Sequence, residues 1–459
     1  MEIRERIDNA RIPEAVSDVL ARLEAAGFEA YLVGGCVRDW LMGNTPKDYD
    51  VTTNALVEQT QEVFRDFRVV ETGIKHGTVT VISEGIPIEV TTYRVDGSYS
   101  DGRHPDRVCF TSRLRDDLSR RDFTVNALAY SPARGFVDGF GGTYDLDRKS
   151  IRCVGNPDKR FGEDALRILR ALRFASVLGF SVEKQTAASL HRNRLLLKKI
   201  AKERVTEELL KLLCGDGAER VLREFSDVIA VILPQLTPMF GFAQHNAYHI
   251  YDVWEHTLRV VAAVPPDRGL RLAALLHDSG KPRCFTLDEN GVGHFYGHAN
   301  ASEEIAKDIF CQSLRLDKAT AERVRMLVRY HDEPIEPSRK IVRRRLMKHG
   351  ETALRDLIAL HRADIAGQSP DKMPDRLRQM DEAEQILDEL TAEHVCVSVS
   401  DLHIRGSDLI NSGIPQGKAV GEVLRRLLQE VGEETLQNEP EALRKRALEI
   451  YSDFSIKKE

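Results

Sequence analysis

The spacing of apolar residues changes once along this chain, and that change limits its fold more than any other feature. Up to about residue 150, β-branched runs end at turn residues, as is typical of strands; they are AYLVGG, RVVETG, GTVTVIS and IPIEVTTYRV. From about residue 158, apolar residues recur at helical spacing to the end of the chain. The sequence therefore predicts a multidomain α+β protein: an α/β head with a mixed sheet and helices, then an all-helical remainder.

Length and composition fit several ordinary globular domains. The 459 residues correspond to three or four domains at roughly 100–200 residues each. Hydrophobic residues make up 42% and charged residues 30%, which excludes a fibrous or largely disordered chain. We predict domains at residues 1–150, 151–215, 216–375 and 376–459, with breaks at prolines near 234–238, 265–266, 334–337 and 370.

Charge and cysteine usage exclude other classes. Acidic residues number 72 against 66 basic ones, so the net charge is −6, which excludes a uniformly basic nucleic-acid binder. Two local clusters are basic, residues 159–211 and 339–345, either as solvated helix faces or as nucleic-acid contacts. We expect no membrane span, because no run of ~18 apolar residues exists, and no signal peptide. The 7 cysteines never form CxxC, which indicates reduced thiols in a cytoplasmic protein.

A predicted strand at residues 31–33 runs into a Gly34-Gly35 turn and a helix that starts near Cys36. Glycines at such a turn let backbone N–H groups approach an anion, and a helix N-terminus favours negative charge. Arg38 would add a charge-assisted contact to phosphate. The alternative is a turn without a ligand.

Two aspartates follow in the segment KDYDV, residues 47–51. If this segment is a strand, its period of two places Asp48 and Asp50 on one face. Adjacent carboxylates repel each other unless a cation compensates, and Mg²⁺ commonly links carboxylates to substrate phosphates. The position soon after a phosphate-type glycine turn favours a metal site over a solvated acidic turn.

Five motifs in the first 175 residues resemble one enzyme family. They are LVGGCVRDWLMGNTPKDYDVTTNA, IEVTTYRVDGSYSDGRHPDRVCF, RRDFTVNALAY, VDGFGG and EDALRILRALRF, in this order. The chain thus resembles the class II tRNA nucleotidyltransferases, which comprise the CCA-adding enzymes and their bacterial poly(A) polymerase relatives. The resemblance implies a nucleotidyltransferase head, a helical neck that selects nucleotides and binds RNA, an HD-type body and a tRNA-binding tail. It also implies Mg²⁺ in the head, tRNA as partner, and CTP and ATP as substrates.

The resemblance assigns roles to residues of the head and neck. Asp48 and Asp50 match the catalytic metal ligands, and the loop from Asp96 to Asp106 matches a segment used in switching between nucleotides. The remaining positions match residues that hold phosphate, ribose or base: Gly34, Gly35, Arg38, Arg121, Asp122, Asn126, Asp164, Arg167, Arg170 and Arg173.

Asp164 and Arg167 suggest how bases are chosen without a nucleic-acid template. Their spacing of three predicts neighbours on one helical face, which by itself fits a surface ion pair equally well. A carboxylate only accepts hydrogen bonds and a guanidinium only donates them. Cytosine and adenine each offer an amino donor beside a ring acceptor, so one Asp–Arg pair suits both bases. Guanine and uracil present the opposite pattern and would leave polar groups unpaired.

Histidines and aspartates form a second ordered set in the helical region. Imidazole with carboxylate is ligand chemistry for Zn, Mn, Fe or Ni. The candidate metal ligands are His256, His277, Asp278, His298, His331 and Asp364, and Lys281 is a candidate phosphate contact. The order resembles the HD-domain phosphohydrolases, and HDSGKP matches their central motif closely. Asp364 is the weakest of these assignments, because a long gap separates it from Asp278.

The tail from about residue 380 is predicted to be helical. The segment from Leu402 to Leu409, followed by Gly413, Gly417 and Gly421, resembles the part of the family that grips tRNA. An equally good alternative is a helical hairpin that packs on itself.

The sequence favours a CCA-adding enzyme that extends tRNA with C, C and A and releases pyrophosphate, with an accessory phosphohydrolase site. The alternatives are an A-adding enzyme, a poly(A) polymerase, or an HD phosphohydrolase with a nucleotide-binding head. The sequence leaves open the oligomeric state, the metal of the HD site and the substrate of that site.

Overall fold

The computed structural model describes residues 12–97, 108–246, 250–368 and 373–456. Over these residues the chain divides into two compact units. The first runs to Pro234 and includes Ser313–Arg315, and the second comprises Gln235–Gln312 and the chain from Leu316 onward. A mixed sheet in the first unit and mostly helices elsewhere confirm the predicted α+β class. The remainder is not all-helical as predicted, because short strands lie at Ser181–Val182, Thr286–Leu287 and Gly293–His294.

The strands of the head follow the β-branched runs of the sequence. They are β1 Ala30–Val33, β2 Tyr49–Thr53, β3 Arg68–Gly73, β4 Thr78–Ser83, β5 Ile86–Thr92, β6 Arg94–Asp96, β7 Val108–Phe110, β8 Leu128–Ser131 and β9 Gly135–Asp138. Two short strands, β10 Ser150–Ile151 and β11 Ser181–Val182, pair in parallel nearby. Every residue of β1 is buried, as expected for a strand in the middle of a sheet.

Within the described residues, the main sheet has 7 strands in the order β3-β4-β5-β2-β1-β8-β9. Neighbouring strands are antiparallel except β2 and β5, which run in parallel with Asp50 opposite Glu89. The strands β6 and β7 form a separate antiparallel pair. The sheet therefore brings the ends of β1, β2 and β5 side by side.

Helices cover the sheet and form the neck in the first unit. They are α1 Glu14–Ala25, α2 Gly35–Leu41, α3 Val57–Val63, α4 Leu114–Ser119, α5 Gly142–Asp147, α6 Pro157–Glu163, α7 Leu166–Val177, α8 Lys184–Asn193, α9 Lys202–Leu213, α10 Ala218–Glu224 and α11 Ser226–Ile232. A buried cluster under the site includes Tyr31, Val33, Tyr93 and Leu118. Burial of such side chains stabilises the strand ends from which the site is built.

The second unit is mostly helical. Its elements are α12 Val253–Ala263, α13 Arg268–Leu276, α14 Lys281–Cys284, β12 Thr286–Leu287, β13 Gly293–His294, α15 His298–Gln312, α16 Lys318–Tyr330, α17 Arg339–His349, α18 Glu351–Ala366, α19 Met373–Ala392, α20 Gly406–Asn411, α21 Lys418–Gly432 and α22 Pro440–Ile456. The side chain of Asp267 caps α13 by accepting from the N–H of Leu270 at 2.8 Å. Helix α13 is buried from Gly269 to Leu276, so it forms the centre of this unit.

The predicted breaks near 265–266 and 334–337 fall between helices, and Pro234–Met239 form a 3₁₀ helix. The break at Pro370 lies outside the described residues. The boundaries proposed at residues 150, 215 and 375 stay predictions. Across the described part of the chain, no helix has the length and apolar character needed to cross a bilayer.

Candidate functional site

A glycine turn joins β1 to α2 and forms one wall of the head site. Gly34 has a φ of +83°, which glycine adopts without strain, and its N–H donates to the carbonyl of Leu128 at 3.1 Å. A Cβ on Gly34 would lie 3.2 Å from Nη1 of Arg121 and 3.8 Å from Oδ2 of Asp50. The bare turn therefore admits both side chains close to the backbone.

Carboxylates gather near the start of β2. Asp50 lies in β2 opposite Glu89 of β5, and Asp48 is exposed just before β2. Burial raises the pKa of Asp50 to about 6, and the charges of Glu89 and Asp48 raise it while Arg121 lowers it. This mutual repulsion suits a cation that takes oxygen ligands, as Mg²⁺ does. The predicted strand at 47–51 is shifted, because pairing with β5 begins only at Tyr49, so Asp48 precedes the strand.

Arg121 is held from behind by Asp117. The Asp117 side chain is fully buried and forms ion pairs with Arg120 at 2.8 Å and with Arg121 at 3.4 Å. It also accepts a hydrogen bond from Oγ1 of Thr52 in β2 at 3.2 Å. Burial alone would raise the pKa of Asp117, but the two guanidinium groups lower it below its usual value. Asp117 therefore keeps its charge and fixes Arg121 beside the glycine turn.

Asp122, Asn126, Arg38 and Arg170 form one connected network. Asn126 accepts from Nη1 of Arg38 at 2.7 Å and donates through Nδ2 to Oδ1 of Asp122 at 3.1 Å. Arg170 donates to Oδ2 of Asp122 from Nε and Nη2, at 2.9 and 2.7 Å. Burial opposes the charge of Asp122, yet Arg170 and these hydrogen bonds lower its pKa to about 2. The network joins the turn at Arg38 to helix α7.

Asp164 and Arg167 do not lie on one helix, contrary to the spacing argument. Asp164 has extended backbone angles, φ −142° and ψ 105°, at the junction of α6 and α7, and its Oδ1 accepts from the N–H of Leu166 at 3.0 Å. That local hydrogen bond interrupts the helical segment predicted from the apolar spacing. The carboxylate of Asp164 pairs with Arg204 at 2.7 Å, whereas Arg167 pairs with Glu163 at 2.6 Å.

Arg170 and Arg173 meet a shared acidic partner on α9. Nε of Arg173 donates to Oε2 of Glu208 at 2.5 Å, and Nη1 of Arg170 lies 3.6 Å from Oε1 of the same residue. The guanidinium of Arg173 also stacks over the ring of Phe174, 3.8 Å from its centroid. Both arginines are thus engaged by protein groups, and Arg170 alone also reaches Asp122.

Sequence reasoning missed Glu89, Asp117, Arg204 and Glu208. Glu89 carried a usable signal, because it alternates with Ile88 and Val90 in a β-branched run and so faces away from the core. Asp117, Arg204 and Glu208 lie in ordinary charged helices. Their roles depend on partners distant in sequence, such as Arg204 with Asp164, which single-chain patterns do not show.

Two sequence predictions concern segments away from these contacts. The segment 98–106 of the predicted nucleotide-switching loop lies outside the described residues. In the tail, Gly413 and Gly417 adopt φ values of +98° and +126°, and a Cβ on either of them or on Gly421 would meet nothing within 4 Å. These glycines therefore do not serve a close helix approach among the described residues, and the first two serve turns.

The second unit brings the predicted histidines and aspartates together. Among the described residues, one group contains His256, His277, Asp278 and Asp364, with ligand atoms all within 4.8 Å of one another. Nε2 of His256 lies 2.9 Å from Oδ1 of Asp364, and Nε2 of His277 lies 3.2 Å from Oδ2 of Asp278. Burial opposes protonation of His277, but Asp278 and Asp364 raise its pKa to about 10. Negative charge therefore dominates this group.

Asp278 also belongs to a second group, with His298 and His331. Its Oδ1 lies 3.4 Å from Nε2 of His298 and 3.6 Å from Nε2 of His331, while its Oδ2 faces the first group. Ligand bonds of about 2.0–2.2 Å imply neighbouring ligand atoms roughly 3.0–3.5 Å apart. The donor set and its spacing fit two ions that share Asp278, one on each oxygen.

Each histidine of these groups is oriented by its other ring nitrogen. Because a carbonyl only accepts, the Nδ1 atom in each pair must donate, which leaves Nε2 as the atom that could bind a metal ion. For His277, a metal ion would have to displace the proton that its raised pKa keeps on the ring. Nδ1 of His256 lies 3.0 Å from the carbonyl of Gly367, and Nδ1 of His277 lies 2.7 Å from that of Ala274. Nδ1 of His298 lies 2.9 Å from the carbonyl of Phe295, and Nδ1 of His331 lies 2.8 Å from that of Val328.

A cavity of about 410 Å³ opens beside these ligands. Lys281 lines it, with Nζ 2.7 Å from Oδ2 of Asp278 and 2.9 Å from Oε1 of Gln244. Arg376 lines it as well and donates to Gln368, which in turn donates to Oδ2 of Asp364 at 2.7 Å. The cavity therefore places two cationic side chains near the histidines, an arrangement that suits a phosphate group.

Three known family models match successive parts of the chain. Residues 30–152 match the Poly A polymerase head domain, residues 179–240 match the RNA and SrmB-binding site of polymerase A, and residues 294–447 match tRNA nucleotidyltransferase domain 2. A CCA-adding enzyme of Ligilactobacillus salivarius is 32% identical over 438 residues, 95% of this chain and 96% of that one. One from Levilactobacillus brevis is 34% identical over 430 residues, 94% and 96% of the two chains.

Solved structures of CCA-adding enzymes are also similar to this chain. The Bacillus stearothermophilus CCA-adding enzyme in complex with CTP is similar over 97% of this chain and 98% of its own, with 28% identity and a TM-score of 0.73. The Thermotoga maritima CCA-adding enzyme complexed with tRNA is similar over 98% and 99%, with a TM-score of 0.60. At 19% identity, the second likeness concerns the fold alone.

Proposed function

The chain belongs to the family of CCA-adding enzymes, and from this premise we propose that it adds C, C and A to the tRNA 3′ end. CTP and ATP are the substrates, pyrophosphate is released, and no nucleic-acid template is used. The observation that carries the proposal is the group of Asp48, Asp50 and Glu89 beside the Gly34 turn. The solved Bacillus stearothermophilus relative, described as a complex with CTP, supports CTP as a substrate.

The carboxylates would hold Mg²⁺, for which their oxygen donors and mutual repulsion are suited. Mg²⁺ bound there would activate the attacking 3′-hydroxyl and neutralise charge on the triphosphate. Asp48 and Asp50 come from the loop and strand beside the glycine turn, so both reach the same end of the sheet. Arg121, fixed by Asp117, faces that end and would contact the triphosphate.

Triphosphate and ribose would be held by the network behind the turn. Arg38, Asn126, Asp122 and Arg170 are already linked by hydrogen bonds, so their donors are oriented before a nucleotide arrives. Such orientation lowers the entropic cost of closing the site. We assign these residues to binding and orientation, with no role in proton transfer.

Base selection would depend on Asp164 and Arg167. Asp164 offers acceptors only and Arg167 offers donors only, which matches cytosine and adenine and rejects guanine and uracil. Each group is held by a partner of opposite charge, Arg204 for Asp164 and Glu163 for Arg167. Arg167 also donates to the carbonyl of Arg120 at 3.1 Å, which links it to the segment of Arg121.

The partner tRNA would be bound along the neck and by the tail. Lys184, Lys198 and Lys199 are exposed, within the basic segment that follows helix α7. Contacts of this kind reach the RNA backbone and depend on salt but little on sequence.

Nucleotide incorporation tests this proposal. Purified protein receives three tRNA transcripts, ending at the discriminator base, at C and at CC, with Mg²⁺ and each NTP singly or mixed. We expect all three to reach a CCA end and stop, and the Asp48→Ala/Asp50→Ala double variant to add nothing. Extension of only the CC-ended tRNA would indicate an A-adding enzyme, and unlimited A-tailing would indicate a poly(A) polymerase.

A second activity is favoured by one specific observation, the two ligand groups that share Asp278. We infer that the segment 216–375 carries a metal-dependent phosphohydrolase site of the HD type. Bound ions of the Ni, Mn, Fe or Zn class would polarise a phosphoester and supply a hydroxide nucleophile. Lys281 would contact a phosphate oxygen, because its ammonium lies at the cavity wall next to Asp278.

The test uses the full chain with phosphomonoesters and 2′,3′-cyclic phosphates, after loading with each of these metals. We expect hydrolysis that survives in the Asp48→Ala/Asp50→Ala variant and is lost in Asp278→Asn. Hydrolysis that persists in Asp278→Asn would contradict the assignment of this site.

A further inference from the structure

Arg204 holds the carboxylate that is proposed to read the base. We propose that Arg204 is a positioning residue for nucleotide selection: it fixes Asp164 so that the carboxylate accepts a hydrogen bond from the amino group of cytosine or adenine in one direction only. This inference rests on the proposed role of Asp164, and it assigns a selective function to helix α9, which lies within the segment 179–240 matched to the RNA and SrmB-binding site of polymerase A.

The two side chains meet in a forked ion pair. Nη2 of Arg204 donates to Oδ2 of Asp164 at 2.7 Å, and Nη1 lies 3.4 Å from Oδ1. The side chains are 24% and 14% exposed, so the pair is shielded from most solvent while one edge remains open. A forked contact fixes the plane of a carboxylate, which a single lysine ammonium does not do.

The hydrogen-bond capacity of Asp164 shows why this matters. A carboxylate has about four lone-pair sites. On Oδ1 two of them are used, by the N–H of Leu166 at 3.0 Å and by Nη1 of Arg204 at 3.4 Å. On Oδ2 one is used, by Nη2 of Arg204 at 2.7 Å. One acceptor site therefore remains, on a single oxygen and in a single direction, for one exocyclic amino group.

Helix α9, which carries Arg204, is fixed against helix α7, which begins just after Asp164. Helices α7 and α9 are joined by the pair of Arg173 with Glu208 at 2.5 Å and by the hydrogen bond from Oγ of Ser176 to the carbonyl of Leu212 at 2.7 Å. Both contacts are buried or partly buried. The position of Arg204, and through it the direction of the free lone pair, is therefore set by packing of the neck.

Without Arg204, the carboxylate would keep only its contact with Leu166 and could rotate about its χ angles. A rotating carboxylate would still accept hydrogen bonds, but at no fixed distance from Arg167. Amino-bearing bases would then bind more weakly, and the penalty against guanine and uracil would shrink.

Single-turnover addition of one nucleotide to a tRNA ending at the discriminator base and to one ending at CC tests the proposal. The rate constant and apparent Kd are measured for CTP, ATP, UTP and GTP. For Arg204→Ala we expect discrimination against UTP and GTP to fall about tenfold or more, with partial recovery in Arg204→Lys. Arg223→Ala, which removes another arginine of a neck ion pair, is the control and should keep wild-type discrimination.

A double-mutant cycle separates this role from a merely structural one. Arg204→Ala is combined with Asp164→Ala, and circular dichroism verifies that each variant is folded. We expect Arg204→Ala to change nothing further once Asp164 is absent. An equal change in both backgrounds, or unchanged selectivity in Arg204→Ala alone, would overturn the positioning role. If Asp164→Ala itself kept full selectivity, the proposed base-reading site would be wrong instead.

Discussion

Removal of single carboxylates from the HD ligand groups should change metal stoichiometry in a way set by their geometry. Asp278 gives Oδ2 to the group of His256 and His277 and Oδ1 to the group of His298 and His331. Asp364 contributes only to the first group. We therefore expect two ions per chain in the parent protein, one in Asp364→Asn, and none bound tightly in Asp278→Asn.

The expected energies follow from linkage. An ion present at about 100 times its Kd stabilises the native state by ~2.7 kcal/mol, so two ions add roughly 5 kcal/mol. In a unit of about 200 residues this corresponds to a rise in Tm of about 10–20 °C, and Asp364→Asn should keep about half of it. Loss of a direct ligand should weaken binding at its site by more than ~100-fold.

The assay is best done in the Asp48→Ala/Asp50→Ala background, so that the head contributes no metal. Protein stripped with a chelator is dialysed against Mn²⁺ or Ni²⁺ and analysed by plasma mass spectrometry and calorimetry. Asp381→Asn is the matched control, since its carboxylate is exposed on the same unit and pairs with Arg362. Two ions in Asp278→Asn would refute the bridging role of Asp278, and two ions in Asp364→Asn would refute the assignment of Asp364 as a ligand of the first group.

Three further outcomes follow from the head. Because burial raises the pKa of Asp50 to about 6, its carboxylate becomes protonated as the pH falls through that value. The Mg²⁺ concentration for half-maximal incorporation should then rise about tenfold per pH unit below 6. A Mg²⁺ requirement that stays the same between pH 5 and 7 would contradict this. Glu89→Gln removes a charge that raises the pKa of Asp50, so the acid limb of the pH–rate profile should move to lower pH. The Mg²⁺ requirement at pH 8 should increase. If the acid limb stays at the same pH, Glu89 does not act on Asp50. Gly34→Ala forces a φ of +83° on alanine and places its Cβ 3.2 Å from Nη1 of Arg121, so KM for CTP and ATP should rise together by about tenfold. Gly85→Ala is the control, because Gly85 has a φ of +81° but open space around it. It should cost a similar ~1–2 kcal/mol of stability without that change in KM.

The sequence predicted the strands of the head well because their signals are local. The run RVVETG coincides with β3, and IPIEVTTYRV contains β5 and most of β6. Alternation of β-branched residues between turn residues is sufficient to define such strands. The class of the fold followed from the single change to helical spacing near residue 158.

The break at Asp164 was not predictable from the same signals. Leu166, Leu169 and Leu172 continue the apolar spacing of the preceding residues, so periodicity indicates one helix. The helix ends because the carboxylate of Asp164 binds the N–H of Leu166 and pairs with Arg204, forty residues further along the chain. Such an outcome depends on tertiary contacts, which override local propensity.

For the histidine groups, the sequence predicted the residues but not their arrangement. The sequence order identified all six candidate ligands, including Asp364, which the structure places 2.9 Å from Nε2 of His256. It did not indicate which residues would share an ion, because that division depends on which oxygen of Asp278 faces which histidine. Nor did it indicate the four backbone carbonyls that orient the rings.

The parallel pairing of β2 with β5 has a consequence for synthesis of the chain. Parallel neighbours cannot be joined by a tight hairpin, and here the connection from Thr53 to Ile86 contains α3, β3 and β4. Asp50 and Glu89 therefore come together only after the ribosome has released residues beyond β5. A nascent head that ends before Ile86 carries Asp48 and Asp50 but lacks their acidic neighbour. The candidate cation site is therefore complete only once β5, which ends at Thr92, has been made, and this is before β8 and β9 exist.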